Sequence, residues 1–282
     1  MVGKGPTRSL PPDSSVPQPR RAQSAWHCLA AALVVLAAAV STGAAVAEDF
    51  YFRAGIGFDR PTETVFRDKD CEIETPVPLY GCGLGGDGAP YRSVGDFGTV
   101  AALEVGIGSI VAPALRIEAV VEVRPSLTFS GRANYLDPEL RQSVSVDLSV
   151  LSGMVAAYAD LPALGLPKLG PFAPFVGAGV GAAWVRAGET QMTFPATTTH
   201  IPGRHRTGFA WMVTAGVATA LSESTTLDLA WRYSDLGAAE TATGGGRVVW
   251  RDGSREPLML DQAASEARLR SHGLRLSVRH EF

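Results

Sequence analysis

The chain has 282 residues, with 25 basic and 28 acidic side chains and a formal net charge of −3 at neutral pH. That length admits one barrel of modest size or a two-layer soluble domain, and no basic stretch marks a nucleic-acid surface. Residues 1–47 hold Lys4, Arg8, Arg20, Arg21 and one acid, Asp13, so residues 48–282 carry 21 basic and 27 acidic groups, a net of −6.

The first element is an export signal. Arg20 and Arg21 precede the apolar run Leu29 to Val40, which passes through Ser41 into Ala45-Val46-Ala47. Small residues at that spacing mark a signal-peptidase site, with cleavage expected after Ala47. The alternative, a membrane anchor, is too short: the strongly apolar part has about a dozen residues where a spanning helix needs roughly 20. The residues after Arg20-Arg21 fit a twin-arginine signal poorly. Cys28 falls inside the signal, and the bulky Trp26 and His27 before it make a poor lipoprotein site.

Cys71 and Cys82 follow in a polar segment rich in Gly and Pro. In an oxidising compartment such a pair is most simply a disulfide. It would stabilise its short loop by roughly 2–3 kcal/mol on the chain-entropy model. A metal site would need more ligands, and no His lies near in sequence.

Beyond Glu48 there is no helical period of useful length. Alternation of period two predicts eight strands, at about 50–59, 97–107, 114–129, 142–158, 172–186, 207–220, 224–235 and 268–282. In the third run Leu115, Ile117, Ala119, Val121 and Val123 share one face, and Arg116, Glu118, Glu122 and Arg124 the other. In the fourth, Val144, Val146, Leu148, Val150 and Met154 oppose Ser145, Asp147, Ser149 and Gly153. The connections 60–96, 130–141, 187–206 and 236–267 are long and polar; 108–113, 159–171 and 221–223 are shorter on average. Within the last long connection, Asp252-Gly253 between two apolar runs predicts a β-ribbon.

Aromatic residues cluster at strand ends. Phe50, Phe52, Tyr158, Phe172 and Phe282 are expected at one end, and Phe58, Phe97, Phe129, Trp184, Phe209, Trp211 and Tyr233 at the other. Two such girdles, with long loops on one side and short turns on the other, predict an all-β fold: an eight-stranded antiparallel up-and-down transmembrane β-barrel with long outer loops and shorter periplasmic turns. A soluble lipocalin-like barrel shares the alternation but places its aliphatic face inside, where it would bind small hydrophobic molecules.

An eight-stranded barrel is just wide enough for side chains to fill. The charged face offers Arg53, Glu104, Arg116, Glu118, Glu122, Arg124, Asp147, Asp228, Arg232, Arg275, Arg279 and Glu281, six acids and six arginines. Buried charges must be paired, so a balanced set predicts a packed, ion-paired lumen without a wide pore. Gly177, Gly179, Gly181 and Gly216 are expected to leave room for the long arginines.

Candidates for chemistry are few. His200 and His205 lie beside Arg204 and Arg206 on a long loop and read as solvated surface. Ser271 and His272 are adjacent on the last strand, so they point to opposite faces and cannot form a direct catalytic pair. Gly83 to Gly88 and Gly244-Gly245-Gly246 are loop composition, since no helix follows to make a phosphate cradle. The expectation is therefore a non-enzyme without a cofactor.

The chain resembles the outer-membrane β-barrel family of small Gram-negative surface proteins, which includes opacity-type proteins and alphaproteobacterial surface antigens. The likeness rests on Phe50-Tyr51-Phe52-Arg53-Ala54-Gly55-Ile56-Gly57, Pro174-Phe175-Val176-Gly177-Ala178-Gly179-Val180-Gly181, Phe209-Ala210-Trp211 with Ala215-Gly216-Val217, and Leu227 to Gly237. The segment Leu274 to Phe282 resembles the closing strand that barrel-assembly machinery recognises, with Phe282 as the insertion signal and His280 where an aromatic is common. The resemblance implies an outer-membrane location and a role in envelope integrity or adhesion through the loops. It implies outer-membrane lipid, the assembly machinery and host or surface ligands as partners, and it carries no catalytic set. Transport of a small or hydrophobic solute is the main alternative; lipid A modification is a more distant one.

Overall fold

A computed structural model describes residues 50–282; the expected signal 1–47 and its cleavage after Ala47 lie outside the described residues. Thirteen strands follow in order: β1 (Phe50–Pro61), β2 (Thr64–Asp68), β3 (Ser93–Asp96), β4 (Val100–Ala112), β5 (Leu115–Ala133), β6 (Ser143–Asp160), β7 (Ala173–Thr193), β8 (Thr197–Ile201), β9 (His205–Ala220), β10 (Thr225–Glu240), β11 (Gly246–Trp250), β12 (Leu258–Leu260) and β13 (Ser265–Glu281). Among the described residues the helical content is one 3-10 turn, Leu161–Leu164.

Eight strands close into an antiparallel ring in the order β1, β4, β5, β6, β7, β9, β10, β13 and back to β1. These are the eight runs expected from alternation. They extend further at the loop-bearing end, and five short strands within the long connections were not expected as a set. One of those connections is the expected ribbon: β11 pairs with β12, and β11 also docks on β8. β2 and β3 pair with each other, and join β13 and β5 respectively above the ends of β1 and β4. The wall of the ring thus continues upward.

The ring has two tiers with opposite insides. In the lower tier the outer surface is aliphatic: Ile56, Leu103, Ile117, Leu151, Leu229 and Leu276 are exposed, while Arg53, Glu118, Arg232 and Arg275 are buried. In the upper tier the interior is apolar. Phe66, Phe97, Leu127, Phe129, Val146 and Ile201 are buried in one cluster, and Thr128, Ser130, Ser143, Ser145 and Asp147 face out.

Strand length is the cause. β6 has 18 residues, whereas about 9–11 tilted residues cross the hydrocarbon. Strand beyond that length would stand in water, where an ordinary core is the stable arrangement. The strands reverse sidedness by two routes. In β5 the register shifts between Arg124 and Leu127, and such a bulge re-aims all later side chains. Odd-numbered apolar residues therefore point out up to Val123 and in from Leu127 onward. β6 keeps one parity, and its composition changes instead: Val144 to Val150 point in, and Leu151 and Val155 point out.

This arrangement corrects two expectations. Val144, Val146, Leu148 and Val150 line the interior, so Asp147 lies outside. Of the expected girdle residues, Phe58, Trp184 and Phe209 are exposed on the outer wall, but Phe97, Phe129 and Tyr158 are buried inside.

Phe129 is fully buried, with its ring 5.0 Å from Phe66 and 5.5 Å from Phe97. Phe129→Ala is expected to cost the upper tier about 3–5 kcal/mol. Limited proteolysis of the long loops should accelerate in this variant, whereas Phe58→Ala should leave the loops as resistant as wild type.

Candidate functional site

The lower tier encloses a column of charge. Arg53 on β1 donates from Nη1 to Glu104 Oε1 at 2.8 Å and from Nη2 to Glu118 Oε1 at 2.6 Å. Arg232 on β10 donates from Nη1 to Glu104 Oε2 at 2.6 Å and to Glu122 Oε2 at 2.9 Å. Arg275 on β13 reaches Glu122 from Nε at 2.9 Å and grips Asp59 with both terminal nitrogens, at 2.6 and 3.0 Å. Arg124 closes the chain, donating from Nε to Asp59 Oδ2 at 2.7 Å. Acid and base alternate from Glu118 to Arg124, across strands β1, β4, β5, β10 and β13. Charge-assisted bonds at these lengths are strong, and each charge of the column faces an opposite charge, although the terminal nitrogens of Arg124 and Nε of Arg232 are buried without a hydrogen-bond partner.

Two further arginines sit lower. Arg116 pairs with Asp160 at 2.9 Å and lies over the rings of Tyr158 and Phe175, at 5.2 and 5.5 Å from their centroids. Arg279 approaches Asp228 at 3.6 Å and Glu281 at 3.3 Å.

Ten of the twelve predicted lumen charges are buried: Arg53, Glu104, Arg116, Glu118, Glu122, Arg124, Asp228, Arg232, Arg275 and Arg279. Glu281 is half-exposed at the rim. Asp147 faces outward, where it accepts a hydrogen bond from the Thr128 hydroxyl at 2.7 Å. The acid that the column uses instead is Asp59, which the sequence reading passed over. Its signal was available, because Asp59 shares parity with Arg53. Gly177, Gly179 and Gly181 pack against Tyr158, Met212 and the backbone of β6, and Gly216 against Ala230 and the backbone of β10. Room for the charges comes from Gly57, where a Cβ would meet the Arg275 side chain, and from Gly106, where it would meet Glu118. A void of about 10 Å³ lies beside Arg53, Arg116, Asp228 and Arg232, room for no more than about one water.

Above the column the apolar core fills the upper tier, and the long loops cap it. Cys71 and Cys82 are joined in a disulfide with 4.9 Å between their Cα atoms. The buried Asp68 carboxylate accepts the N–H groups of Leu79, Tyr80 and Gly81 at 3.2, 2.7 and 2.7 Å, fixing the chain just before Cys82. Burial pushes this carboxyl above its ordinary range, and the three donors pull it back. The Tyr80 hydroxyl donates to Ser93 Oγ at 2.9 Å, and the Tyr135 hydroxyl to the Leu79 carbonyl at 2.8 Å. Tyr80, Tyr91 and Phe194 pack around Tyr135 with centroids 5.2–5.9 Å away.

The remaining candidates do not converge. Ser271 is buried and His272 is exposed, on opposite faces of β13. His200 Nδ1 pairs with Glu189 at 2.8 Å on the surface, and His205 is exposed beside it in sequence only. No group of His, Cys, Asp and Glu among the described residues is placed to hold a metal.

An aliphatic outer wall around a charged interior is the reverse of a lipocalin. It is the arrangement of an outer-membrane β-barrel.

No family model matches the chain. Uncharacterized proteins of Brucella abortus and Brucella suis are 37% identical to it over 89 residues, 30% of this chain and 30% of theirs, so the chain spans about 30% of the curated relatives it matches. Among solved structures it is similar to the outer membrane protein OprG from Pseudomonas aeruginosa, at 14% identity and a TM-score of 0.46, over 84% of this chain and 96% of that one. Neisserial surface protein A is 15% identical with a TM-score of 0.38, over 83% and 97%. The outer membrane protein AlkL is 13% identical with a TM-score of 0.39, over 84% and 92%.

Glu122 touches three arginines. Glu122→Gln should destabilise the barrel by about 3–5 kcal/mol, because it leaves buried cations underpaired. The temperature at which the folded gel band converts to the unfolded one should fall. Asp147→Asn, on the outside, should shift stability by less than about 0.5 kcal/mol.

Proposed function

We propose that this is a transmembrane surface barrel of the Gram-negative outer membrane, with a structural or adhesive role exercised through its outer tier. The observation that carries the reading is the reversal of sidedness along single strands. The lower tier suits lipid outside and a sealed polar lumen; the upper tier suits water outside and an ordinary core. A barrel built this way holds a rigid platform above the membrane. The disulfide Cys71–Cys82, the Asp68 clamp and the β8–β11–β12 ribbon brace its working surface. Loops on a rigid scaffold are where recognition is usually placed.

In this reading outer-membrane lipid surrounds the lower tier and host or surface ligands meet the loops. At the lower rim the Phe282 N–H donates to the Phe50 carbonyl at 3.2 Å, and its exposed ring packs edge-on to His280 at 5.6 Å. The lumen is structural and seals the barrel. Transport is disfavoured because the charge column and the apolar core stand one above the other and fill the ring along its axis. Lipid modification is disfavoured because Ser271 and His272 lie on opposite faces.

Gel mobility of the outer-membrane fraction, unboiled against boiled, tests the fold and location. The expected outcome is a heat-dependent shift, protease cleavage of intact cells confined to the long loops, and conductance in planar bilayers no higher than bare lipid. Protein soluble in the periplasm with no shift would overturn the membrane placement, and stepwise channel currents would overturn the sealed lumen.

A further inference from the structure

The outer face of the upper tier carries a groove of about 830 Å³, within the size range of ligand sites. Its floor follows from the register of three strands. Val65 on β2 stands opposite Val94 on β3, which stands opposite Arg132 on β5. The residues next to these, Phe66, Ser93 and Ala133, are buried in the interior, so Val65, Val94 and Arg132 face outward. Glu63, two residues before Val65, also lines the groove, and Leu136 and Pro138 of the β5–β6 connection give it an apolar wall.

Most polar groups of the lining are engaged in holding its walls. Buried Gln142 accepts the Leu136 N–H at 2.9 Å and donates to the Leu136 and Asp137 carbonyls at 3.1 and 3.3 Å. Asn134 accepts the Arg92 N–H at 2.9 Å and donates to Asp87 at 2.8 Å and to the Ala89 and Pro90 carbonyls at 3.2 and 3.1 Å. Arg92 also reaches Asp87 at 3.1 Å, so these two charges neutralise each other. The Gly86 N–H donates to the Asn134 carbonyl at 2.9 Å, and a Cβ at Gly86 would strike the Leu136 carbonyl. Two exposed charges are left over. Glu63 has no hydrogen-bond or ion-pair partner among the described residues. Arg132 donates from Nη2 to the Leu140 carbonyl at 3.0 Å and to that of Pro138, and its Nε and Nη1 have no partner among the described residues.

A rigid groove thus offers one free anion and one free cation with two valines between them. Arg132 is two strands across from Val65, about 10 Å, and Glu63 is about 7 Å along the chain from Val65, so the two backbone positions are about 12 Å apart. An extended peptide covers that distance in about three to four residues. We propose that the groove binds an extended peptide segment of a partner protein, which presents a carboxylate to Arg132, a cationic side chain to Glu63 and a small apolar residue to Val65 and Val94. Charge complementarity selects this occupant. A polyanion would satisfy Arg132 but meet Glu63 and Asp87. A neutral sugar would leave both charges unmatched, and an acyl chain would desolvate them without a partner. The inference names the kind of ligand for the surface role proposed above, and rests on that role.

The test uses the full barrel in detergent micelles, each preparation first shown to be folded by its heat-dependent mobility shift. The probes are fluorescein-labelled, end-blocked peptides in which a lysine and a glutamate are separated by one, two or three alanine or valine residues. Matched controls carry glutamine in place of the lysine, of the glutamate, or of both. Binding is read by fluorescence anisotropy. At one spacing, wild type is expected to bind the doubly charged peptide about tenfold more tightly than the doubly neutral one, a few-fold for each charge, and the preference should fade in high salt. Glu63→Gln should abolish discrimination at the peptide's lysine and keep it at the glutamate, and Arg132→Gln should do the reverse. Glu63→Lys should prefer a peptide with glutamate at both positions, and Arg247→Ala, on the ribbon, should behave as wild type. Arg132 also holds the Pro138 and Leu140 carbonyls, so the Glu63 variants, which break no contact, carry the decision. Equal binding of charged and neutral peptides by wild type, no binding at millimolar peptide, or full discrimination in Glu63→Gln overturns the proposal. Cell attachment that depends on the protein but is unchanged in Glu63→Gln and Arg132→Gln would overturn the groove and spare the surface role. Attachment that does not depend on the protein would refute that role itself.

Discussion

The structure depends on the pairing of β1 with β13. Eleven residue pairs, from Tyr51 opposite Glu281 to Pro61 opposite Ser271, turn a sheet with two free edges into a ring. In hydrocarbon an unpaired backbone N–H or C=O costs several kcal/mol, so an open edge there is not tolerated. Closure also sets the width of the lumen. With eight strands the interior is too narrow for a water-filled bore, so it must be packed. Three of the residues that pack it stand on the closing strands: Arg53 and Asp59 on β1, Arg275 on β13. The side-chain network therefore ties together the same two strands that the backbone joins.

The charge column and the apolar core are two answers to one question, namely what the solvent outside the wall permits inside. Next to lipid the wall's outer face must be aliphatic. Alternation then delivers the polar residues to the lumen, where they must satisfy one another. Arginine and carboxylate do this in a chain of pairs, and Gly57 and Gly106 give them space. Above the lipid, water takes the polar face and the lumen can hold phenylalanine and valine.

Much of this was legible in the residues. Period-two alternation located all eight ring strands, and Asp252-Gly253 located the ribbon. Arg116, Glu118, Glu122 and Arg124 declared their shared face by spacing alone. The level at which sidedness reverses was harder to read, because nothing in a strand's alternation says where the membrane stops. Yet the signal exists. In β6 the adjacent apolar pair Val150-Leu151 is a phase slip between upper valines on even positions and lower aliphatics on odd ones. In β13 a similar slip runs through Ser271-His272-Gly273, between Leu269 and Leu274. In β5 the slip is hidden, since apolar residues keep odd positions throughout and the bulge at Pro125-Ser126 turns the backbone beneath them. Asp147 was misplaced for want of the first signal. Phe129 was misplaced because the slip in β5 is hidden.

The continuity of the long strands has a mechanical consequence. β5, β6, β7 and β13 run from the periplasmic rim into the outer tier without a hinge or linker. A load applied to the loop tips, such as the drag of an attached particle, travels along these strands into the bilayer. It meets rows of backbone hydrogen bonds in shear, where many must yield together, and not an unzipping end where they would yield singly. In the proposed surface role, a barrel built this way would pass tension from its loops directly to the envelope.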